Sequence, residues 1–508
     1  MNAVLNTTFR ADRALGRLPM VRLVASALGV LVLYSMVMDA LGWTEFGFPA
    51  LALHLLLCVG ATVLSNAACA ALFRLKPYWD SSLVTAGLLY FLFWPGSTVR
   101  EFLGITLAAV LASASKYALA WHGRHVFNPA ALGAFVVSLT GLNAATWWVG
   151  SPIMLWAVIP LGLLALHRAG QYAAAFPFLV LSLATTVLVT LSRGLPAGTA
   201  PSLWLASQAT VFFACFMLSE PLTLPPRRWQ RALVGAVVGV LFSLPFSAQL
   251  GTVVLSNAPE AVLLLGNLLA LLLRPRGLGK AALSARRDVA DGVTEFSFQL
   301  PERLSLPAGQ YVELGIPTPG LGSARRVFTP VQAGGGVLRI ATRTSEPLSA
   351  AKQTLLKLPE GSLVQLSRAG GDFGLPSGDS PLLLVAGGIG VTPFLSLLGN
   401  GHDGGRDIIL LYSVPDHAAA AYLPELAASG ARVLLRTSRP LPEGAELPDG
   451  VEHVGAERFS AERIAELVPD AATRTALLAG TPEFVHALRG ALRSAGVRKV
   501  LRDSFLGY

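Results

Sequence analysis

Gly387, Gly388 and Gly390 stand between two apolar runs in the segment 382–395, LLLVAGGIGVTPFL. The first run predicts a buried strand, and Thr392-Pro393 ahead of the second predicts a helix with proline near its first turn. Glycines lacking Cβ atoms let a diphosphate approach the backbone, and a helix start offers free N–H donors and the positive end of a dipole. The chemistry expected of Gly387, Gly388, Gly390, Thr392 and Pro393 is dinucleotide binding. Such turns also close ordinary strand–helix corners, so the reading depends on the rest of the chain.

The chain has 508 residues, 53% hydrophobic and 14% charged, with mean hydropathy +0.57. That lies outside the range of a soluble protein, and much of the chain must sit in lipid. The excess is uneven: residues 22–273 are long apolar runs, whereas 281–508 have soluble composition. The net charge of +9 falls mainly between apolar segments, where it orients a membrane protein instead of binding nucleic acid. Cys58, Cys69 and Cys215 all lie in apolar runs, which leaves neither a disulfide framework nor a four-thiolate cluster. No metal site is expected.

Arg10, Arg13 and Arg17 precede the first apolar run, which continues to about Leu41 without a small-residue cleavage site, so a retained helix is expected. With about 20 residues per span, the candidates are 22–42, 49–73, 81–95, 101–121, 128–147, 152–167, 171–192, 203–219, 232–250 and 257–273. Arg74, Lys76, Arg124, Arg168, Arg227, Arg228, Arg231, Arg274, Arg276 and Lys280 fall at alternate connections. The positive-inside rule then puts both termini in the cytoplasm, in the cell (inner) membrane.

Three stretches set polar groups and small or helix-breaking residues against apolar runs: 80–87 (DSSLVTAG), 124–131 (RHVFNPAA) and 216–225 (FMLSEPLTLP). Interrupted helices use such ends to hold polar ligands, and each stretch alone is equally ordinary turn and capping chemistry. In this order they resemble the flavin-bearing membrane protein family common to the sodium-pumping NADH:quinone reductase and the Rnf complex. The resemblance covers roughly 20–275. It implies two inverted halves around a flavin, with Thr85, Asn128, Glu220 and Thr223 binding it. That family attaches FMN covalently at an S-G-A-T sequence. Here the nearest match, Ser207-Gln208-Ala209-Thr210, lacks the glycine and lies in a predicted span, so noncovalent FMN is expected. A transmembrane haem reductase needs paired histidines deep in its spans, and only His54 is deep. His54 is expected to be a hydrogen-bonded interior residue.

The cations, proline and glycines of 274–280 end the last span in a linker, 275–283. Strand-like segments follow at 292–300, 310–316, 326–332 and 337–343, predicting a small antiparallel barrel over 284–378. Over 379–508 apolar strands alternate with helical stretches, predicting a doubly wound parallel sheet. Residues 281–508 resemble the ferredoxin-NADP reductase superfamily, an FAD barrel followed by an NAD(P) domain. Arg326-Val327-Phe328-Thr329 matches its R-x-[YF]-[ST] motif. The resemblance implies that Arg326 binds the flavin diphosphate, Phe328 packs on the isoalloxazine and Thr329 reaches N5. It further implies that Ser349 and Lys352, in an S-x-x-K-x-x-L-x-x-L-x-x-G stretch, face the diphosphate. Segment 386–393 matches the pyridine-nucleotide turn. Ala479-Gly480-Thr481-Pro482 stands in the C-G-P-P place, with alanine for the cysteine. The terminal Phe505-Leu506-Gly507-Tyr508 resembles F-x-G-Y, which makes Tyr508 a flavin-covering aromatic. The turn at Thr437-Ser438-Arg439 could hold a 2′-phosphate, and NADH and NADPH both stay open.

The expectation is a fused membrane oxidoreductase. It would pass electrons from cytoplasmic NAD(P)H through FAD to a flavin, FMN, in the membrane domain, then to a quinone or an extracytoplasmic acceptor. The alternatives are a flavin or small-molecule transporter bearing a reductase domain, and a reductase on an inert anchor.

Overall fold

The computed structural model describes residues 19–121, 124–206, 209–250, 253–273, 278–301, 304, 306–318, 322–346, 348–399 and 405–505. The chain divides into two compact units, Met1–Arg274 and Pro275–Tyr508.

The first unit is helical. Met20–Ala40, Phe48–Leu72, Pro152–Ala169 and Tyr172–Ser192 are long and apolar enough to cross a membrane, and Ala197–Leu205 with Thr210–Leu218 forms a bent pair of that kind. Trp79–Leu92, Val99–Ala118, Pro129–Thr140, Arg228–Ser243 and Pro259–Leu273 lie at the other expected stretches but fall short of that length or hydropathy, so among the described residues four to five such helices stand where about ten were expected. Three of those stretches differ from expectation. The helix expected over 128–147 stops at Thr140, where Gly141 takes the left-handed conformation that caps helices. The one expected over 203–219 is interrupted at Ala209, itself left-handed, and resumes with a π-helical turn, Phe213–Leu218. The one expected over 232–250 ends at Ser243, because Pro245 biases Leu244 away from helix; an antiparallel pair, Ser247–Leu250 with Val253–Ser256, follows.

Packing within the unit repeats in order. Met20–Ala40 packs on Trp79–Leu92, Phe48–Leu72 on Val99–Ala118, and that helix on Pro129–Thr140. Further along, Pro152–Ala169 packs on Phe213–Leu218, Tyr172–Ser192 on Arg228–Ser243, and that helix on Pro259–Leu273. The first members of the two series touch each other, as do the last members. Each series also carries a short antiparallel pair before its final helix: Ala120–Trp121 with Arg124–His125, and Ser247–Leu250 with Val253–Ser256. Sequence echoes this, since Asn128-Pro129-Ala130-Ala131 opens one final helix and Asn257-Ala258-Pro259-Glu260-Ala261 the other. Small residues allow close approach of the helices, as at membrane helix interfaces: a Cβ on Gly239 would lie 2.7 Å from the Phe178 carbonyl oxygen.

The second unit opens with a seven-stranded antiparallel sheet in the spatial order Gly322–Phe328, Tyr311–Thr318, Leu363–Gly370, Gly279–Ala290, Val293–Gln299, Val337–Arg343, Gln332–Gly334. Strand Gly279–Ala290 runs through much of the expected linker 275–283. The segment expected as one strand over 326–332 leaves the sheet after Phe328, because Pro330 has no N–H for a ladder. Alternation along Val293–Gln299 drives Phe296 and Phe298 into the core beside Leu283, Leu314, Leu338 and Ile340, and each buried ring contributes about 1.5–3 kcal/mol.

A six-stranded parallel sheet follows, ordered Val451–His453, Arg432–Thr437, Ile408–Val414, Leu382–Gly387, Thr475–Gly480, Val500–Ser504. Strand Leu382–Gly387 is buried on both faces, Leu384 in one apolar cluster and Leu383 and Val385 in the other, as a doubly wound sheet requires. Arg474 fastens the strand starts: Nη1 donates to the Leu382 and Asp407 carbonyls at 3.1 and 3.3 Å, Nε donates to both Asp470 oxygens at 3.0 Å, and Nη2 pairs with Asp407. Barrel and sheet meet at Glu295, buried at 3% exposure. Tyr422 Oη donates to its Oε2 at 2.8 Å, with Arg287 and Arg339 at 3.4 and 3.6 Å. Glu295→Gln removes the charge while keeping the shape, and should cost this unit about 1–3 kcal/mol, read as a lower urea midpoint with unchanged slope.

Candidate functional site

In the parallel sheet the strand order reverses between Leu382–Gly387 and Thr475–Gly480, and their carboxyl ends carry the two glycine turns. Open α/β sheets bind ligands at such a switch point. The backbones there approach so closely that side chains are excluded. A Cβ on Gly390 would lie 2.5 Å from the Ala479 carbonyl oxygen, and one on Gly387 would lie 2.8 Å from the Phe484 ring. Gly388 has φ +54° and open space beyond its Cα, the conformation and clearance that a phosphate needs from a backbone. Gly388–Val391 is a 3-10 turn leading into Thr392–Leu398. Thr392 and Pro393 are buried, and the Thr392 hydroxyl donates to the Ile389 carbonyl at 3.3 Å, so they hold the turn from inside. Gly480 pairs in register with Ser504, and Phe505 N donates to the Gly480 carbonyl at 2.8 Å. The chain end thus leaves from beside the second turn. Tyr508 lies outside the described residues.

At the ends of the next two strands, Arg436 Nη1 donates to Ser438 Oγ at 2.9 Å and Ser413 Oγ at 3.3 Å. Burial, then the neighbouring Arg458, lowers the Arg436 pKa. Arg439 is paired with Asp416 at 3.0 Å, and Thr437 is buried against His453. Of that turn, Ser438 is the residue grouped with a crowded guanidinium. Arg436, inside the preceding strand, was not singled out from sequence.

In the barrel, the register Val312↔Phe328 and Leu314↔Arg326 puts Arg326 and Phe328 on one face, with Val327, 53% exposed, on the other. Thr329 follows at the strand end and is buried. Ser349 caps helix Ala350–Lys357, its hydroxyl accepting from Lys352 N at 3.5 Å. Lys352 Nζ donates to the Arg343 carbonyl at 2.9 Å. Burial lowers the Lys352 pKa, and the charges of Arg343 and then Arg326 lower it further. Two guanidinium groups crowded beside a half-buried ammonium fit the diphosphate of FAD.

The pH consequence has a definite sign. A lysine whose folded pKa is lowered costs stability while charged, and the fold recovers that cost as pH rises through the lowered value. A bound diphosphate favours the charged form, so FAD binding takes up a proton there. FAD affinity, measured by flavin fluorescence on the deflavinated protein, should fall as pH rises through the alkaline range. Lys352→Met should weaken binding and flatten that dependence.

The helical unit assembles a second cluster. Glu220 follows the π-helical turn; its Oε1 lies 2.6 Å from His125 Nε2, and its Oε2 accepts from Asn128 Nδ2 at 2.9 Å. Asn128 caps Pro129–Thr140 through Ala131 N, and its own N–H donates to Asn267 Oδ1 at 2.8 Å. The Thr223 hydroxyl donates to the Glu220 carbonyl at 3.1 Å. Thr85 donates to the Ser81 carbonyl, which also accepts from Lys116 Nζ at 3.0 Å, and Lys116 lies within electrostatic reach of Glu220. Asn128, Glu220 and Thr223 therefore belong to one polar group in an apolar unit, and the bonds of Thr85 and Lys116 go to Ser81. His125 and Asn267 join it; His125 stands in the stretch 124–131, and Asn267, within the apolar run 257–273, gave no local signal. His54 lies away from this group, bonded through Nε2 to the Tyr90 carbonyl at 3.1 Å. Among the described residues no group of three or more His, Cys, Asp or Glu could hold a metal ion.

No family model matches the chain. Among curated proteins it is similar to the flavohemoprotein of Pseudomonas putida, 25% identical over 228 residues that make up 44% of this chain and 57% of the relative. It is also similar to the flavohemoprotein of Bordetella pertussis, 30% identical over 203 residues, 37% of this chain and 50% of the relative. The chain spans about half the length of the curated relatives it matches. Similar solved structures include a cytochrome P450 reductase of Amycolatopsis, with 26% identity and TM-score 0.39, covering 45% of this chain and 70% of that one. Another is a ferredoxin NADP+ reductase of Neisseria gonorrhoeae with bound FAD and NADP, with 20% identity and TM-score 0.38, covering 44% and 97%. The lengths matched fit the unit Pro275–Tyr508, and the similarity to flavohemoproteins supports reading it as a reductase-like FAD/NAD-binding domain.

Proposed function

We propose that the chain is a multi-pass membrane flavoprotein that takes electrons from cytoplasmic NAD(P)H and passes them through FAD to a flavin held by the helical unit. From there they would go to a quinone or an extracytoplasmic acceptor. The observation that carries this reading is the union in one chain of a reductase-type domain with an apolar helical unit whose buried polar groups converge on Glu220. Bound flavin supplies the redox chemistry, since it accepts an electron pair as hydride and releases the electrons singly.

The protein's part is placement. Arg326, Arg343 and Lys352 neutralise the FAD diphosphate, Phe328 offers a ring face, and Thr329 offers a hydroxyl for the hydride-accepting edge. Gly387, Gly388, Gly390 and Gly480 give the nicotinamide nucleotide a backbone-lined seat, with Phe484 across Gly387 and Gly480. In the helical unit Asn128, Glu220, Thr85 and Thr223 would hold a noncovalent FMN. The two matching packing series, each with a short strand pair before an Asn- and Pro-containing helix start, support an inverted repeat of about ten spans. Charged connections at alternate loops support cytoplasmic termini.

The test is direct. The purified protein, denatured and assayed for FAD and FMN, should release two flavins per chain, and NADH or NADPH should bleach the native flavin absorbance. A preparation without bleachable flavin defeats the proposal. One flavin per chain, with quinone reduction preserved after deletion of 1–274, would reduce the helical unit to an anchor.

A further inference from the structure

Helix Phe48–Leu72 buries a face of polar residues at four-residue spacing: His54, Cys58, Thr62 and Asn66, each at most 2% exposed. A membrane helix usually buries small or apolar residues, because each unpaired polar atom in a dry interior costs about 1–3 kcal/mol. Here His54 Nδ1, Thr62 Oγ1 and Asn66 Nδ2 have no hydrogen-bond partner, and neither does Ser82 Oγ on the adjoining helix Trp79–Leu92. The corresponding helix of the second series, Tyr172–Ser192, is different. Its Ser182 accepts from Trp204 Nε1 at 2.8 Å, and its Thr186 donates to Ser243 Oγ at 3.0 Å.

The unpaired atoms are placed in sequence along the helix. Successive helices joined by the short connection 73–78 run antiparallel, and they are registered by the contact of His54 Nε2 with the Tyr90 carbonyl. Equal rise along both then brings Thr62 level with Ser82. From His54 to Asn66 the face rises about 18 Å, against a hydrocarbon thickness of about 30 Å. Polar groups continue it at each end. At Asn66, Tyr117 Oη donates to Oδ1 at 2.9 Å, and between Thr62 and Asn66 Ser65 donates to Ser113 at 2.8 Å. Beyond His54, Tyr90 Oη lies 3.1 Å from Ser35 Oγ. One helical turn past Ser35, Asp39 accepts from the Thr44 hydroxyl and from the N–H groups of Phe46 and Gly47.

We propose that this face is a hydrated, proton-conducting thread across the first helical series, with water molecules completing the hydrogen bonds of His54, Thr62, Asn66 and Ser82. Hydroxyl, amide and imidazole groups can each accept and donate, which is what relay of a proton through water requires. The Cys58 thiol, a weak donor 3.9 Å from His54 Nε2, is the narrow point. The inference rests on the membrane reading of the helical unit, and the experiment separates the two.

The full chain, reconstituted with trapped pyranine, is first floated with the vesicles. A potassium diffusion potential set by valinomycin then drives protons inward, with potassium efflux balancing the charge. Wild type should acidify the lumen faster than protein-free vesicles. Thr62→Val, Ser82→Ala and Asn66→Leu should each slow it about tenfold, the factor expected when one hydrogen bond is lost in a dry interior. Thr186→Val, on the second series, should leave it unchanged. Flotation certifies each variant as inserted, and retained NAD(P)H–ferricyanide activity certifies its second unit as folded. Floating protein that conducts no faster than bare vesicles, or Thr62, Ser82 and Asn66 variants that all conduct like wild type, overturns the thread alone. Protein that does not float overturns the membrane reading, and the thread with it.

Discussion

Gly390→Val should slow reduction of bound FAD by NAD(P)H by about 10²-fold or more while leaving the FAD content unchanged. A Cβ at Gly390 would meet the Ala479 carbonyl oxygen at 2.5 Å, the Ala479 carbonyl carbon at 2.7 Å and Gly480 Cα at 2.8 Å. All three are backbone atoms, so no rotamer change relieves the collision. Relief requires Leu382–Gly387 and Thr475–Gly480 to part at their carboxyl ends, the proposed seat of the nucleotide. Arg326, Phe328, Thr329, Ser349 and Lys352, the residues proposed to face FAD, lie in or beside the other sheet and its helix, which accounts for the retained flavin expected here. Gly388→Ala is the informative contrast. Its Cβ meets nothing within 4 Å, so only the cost of a left-handed alanine, about 1–2 kcal/mol, opposes it, and the loss should be much smaller. Stopped-flow bleaching of the flavin separates the two. A Gly390→Val protein reduced at the wild-type rate would mean that the turn does not seat the nicotinamide nucleotide.

The reductase unit was legible because its elements are set by local pattern. Four apolar residues before Gly387 could only be a buried strand, and strand alternation alone puts Arg326 and Phe328 on one face. What was not legible depends on pairing between distant segments. Arg474 reads as a surface cation until Asp407 and Asp470 are brought to it, and Arg343 reads as a strand end until helix Ala350–Lys357 places Lys352 beside it. The barrel's long strand Gly279–Ala290 was hidden because its second half, Ser284 to Ala290, is largely exposed and charged. In the helical unit hydropathy located the helices but not their ends. Gly141, Ala209 and Pro245 stop or break them through backbone conformation, to which an average over apolar residues is blind. The polar stretches contain Asn128 and Glu220. They did not reveal that Glu220 and Asn128, 92 residues apart, share one hydrogen bond.

That shared bond yields the second large effect, in the other unit. Glu220→Leu should lower electron delivery to a quinone at least about tenfold and remove one flavin per chain, with NAD(P)H–ferricyanide activity intact. Both carboxylate oxygens are in use, Oε1 by His125 and Oε2 by Asn128. Leucine leaves those two partners unpaired in an apolar unit, at about 1–3 kcal/mol each. The loss would loosen the tie between the segment ahead of Pro129–Thr140 and the chain that follows the π-helical turn Phe213–Leu218, which the Glu220 bonds to His125 and Asn128 supply. Even Glu220→Gln should be impaired, because its amide can present an oxygen to only one of the two donors that the carboxylate serves. The ferricyanide readout reports on the FAD domain, a separate compact unit, so it guards against a trivial loss of the whole protein. If Glu220→Leu retains both flavins and full quinone reduction, the cluster only joins helices, and the electron path must leave the reductase domain without it.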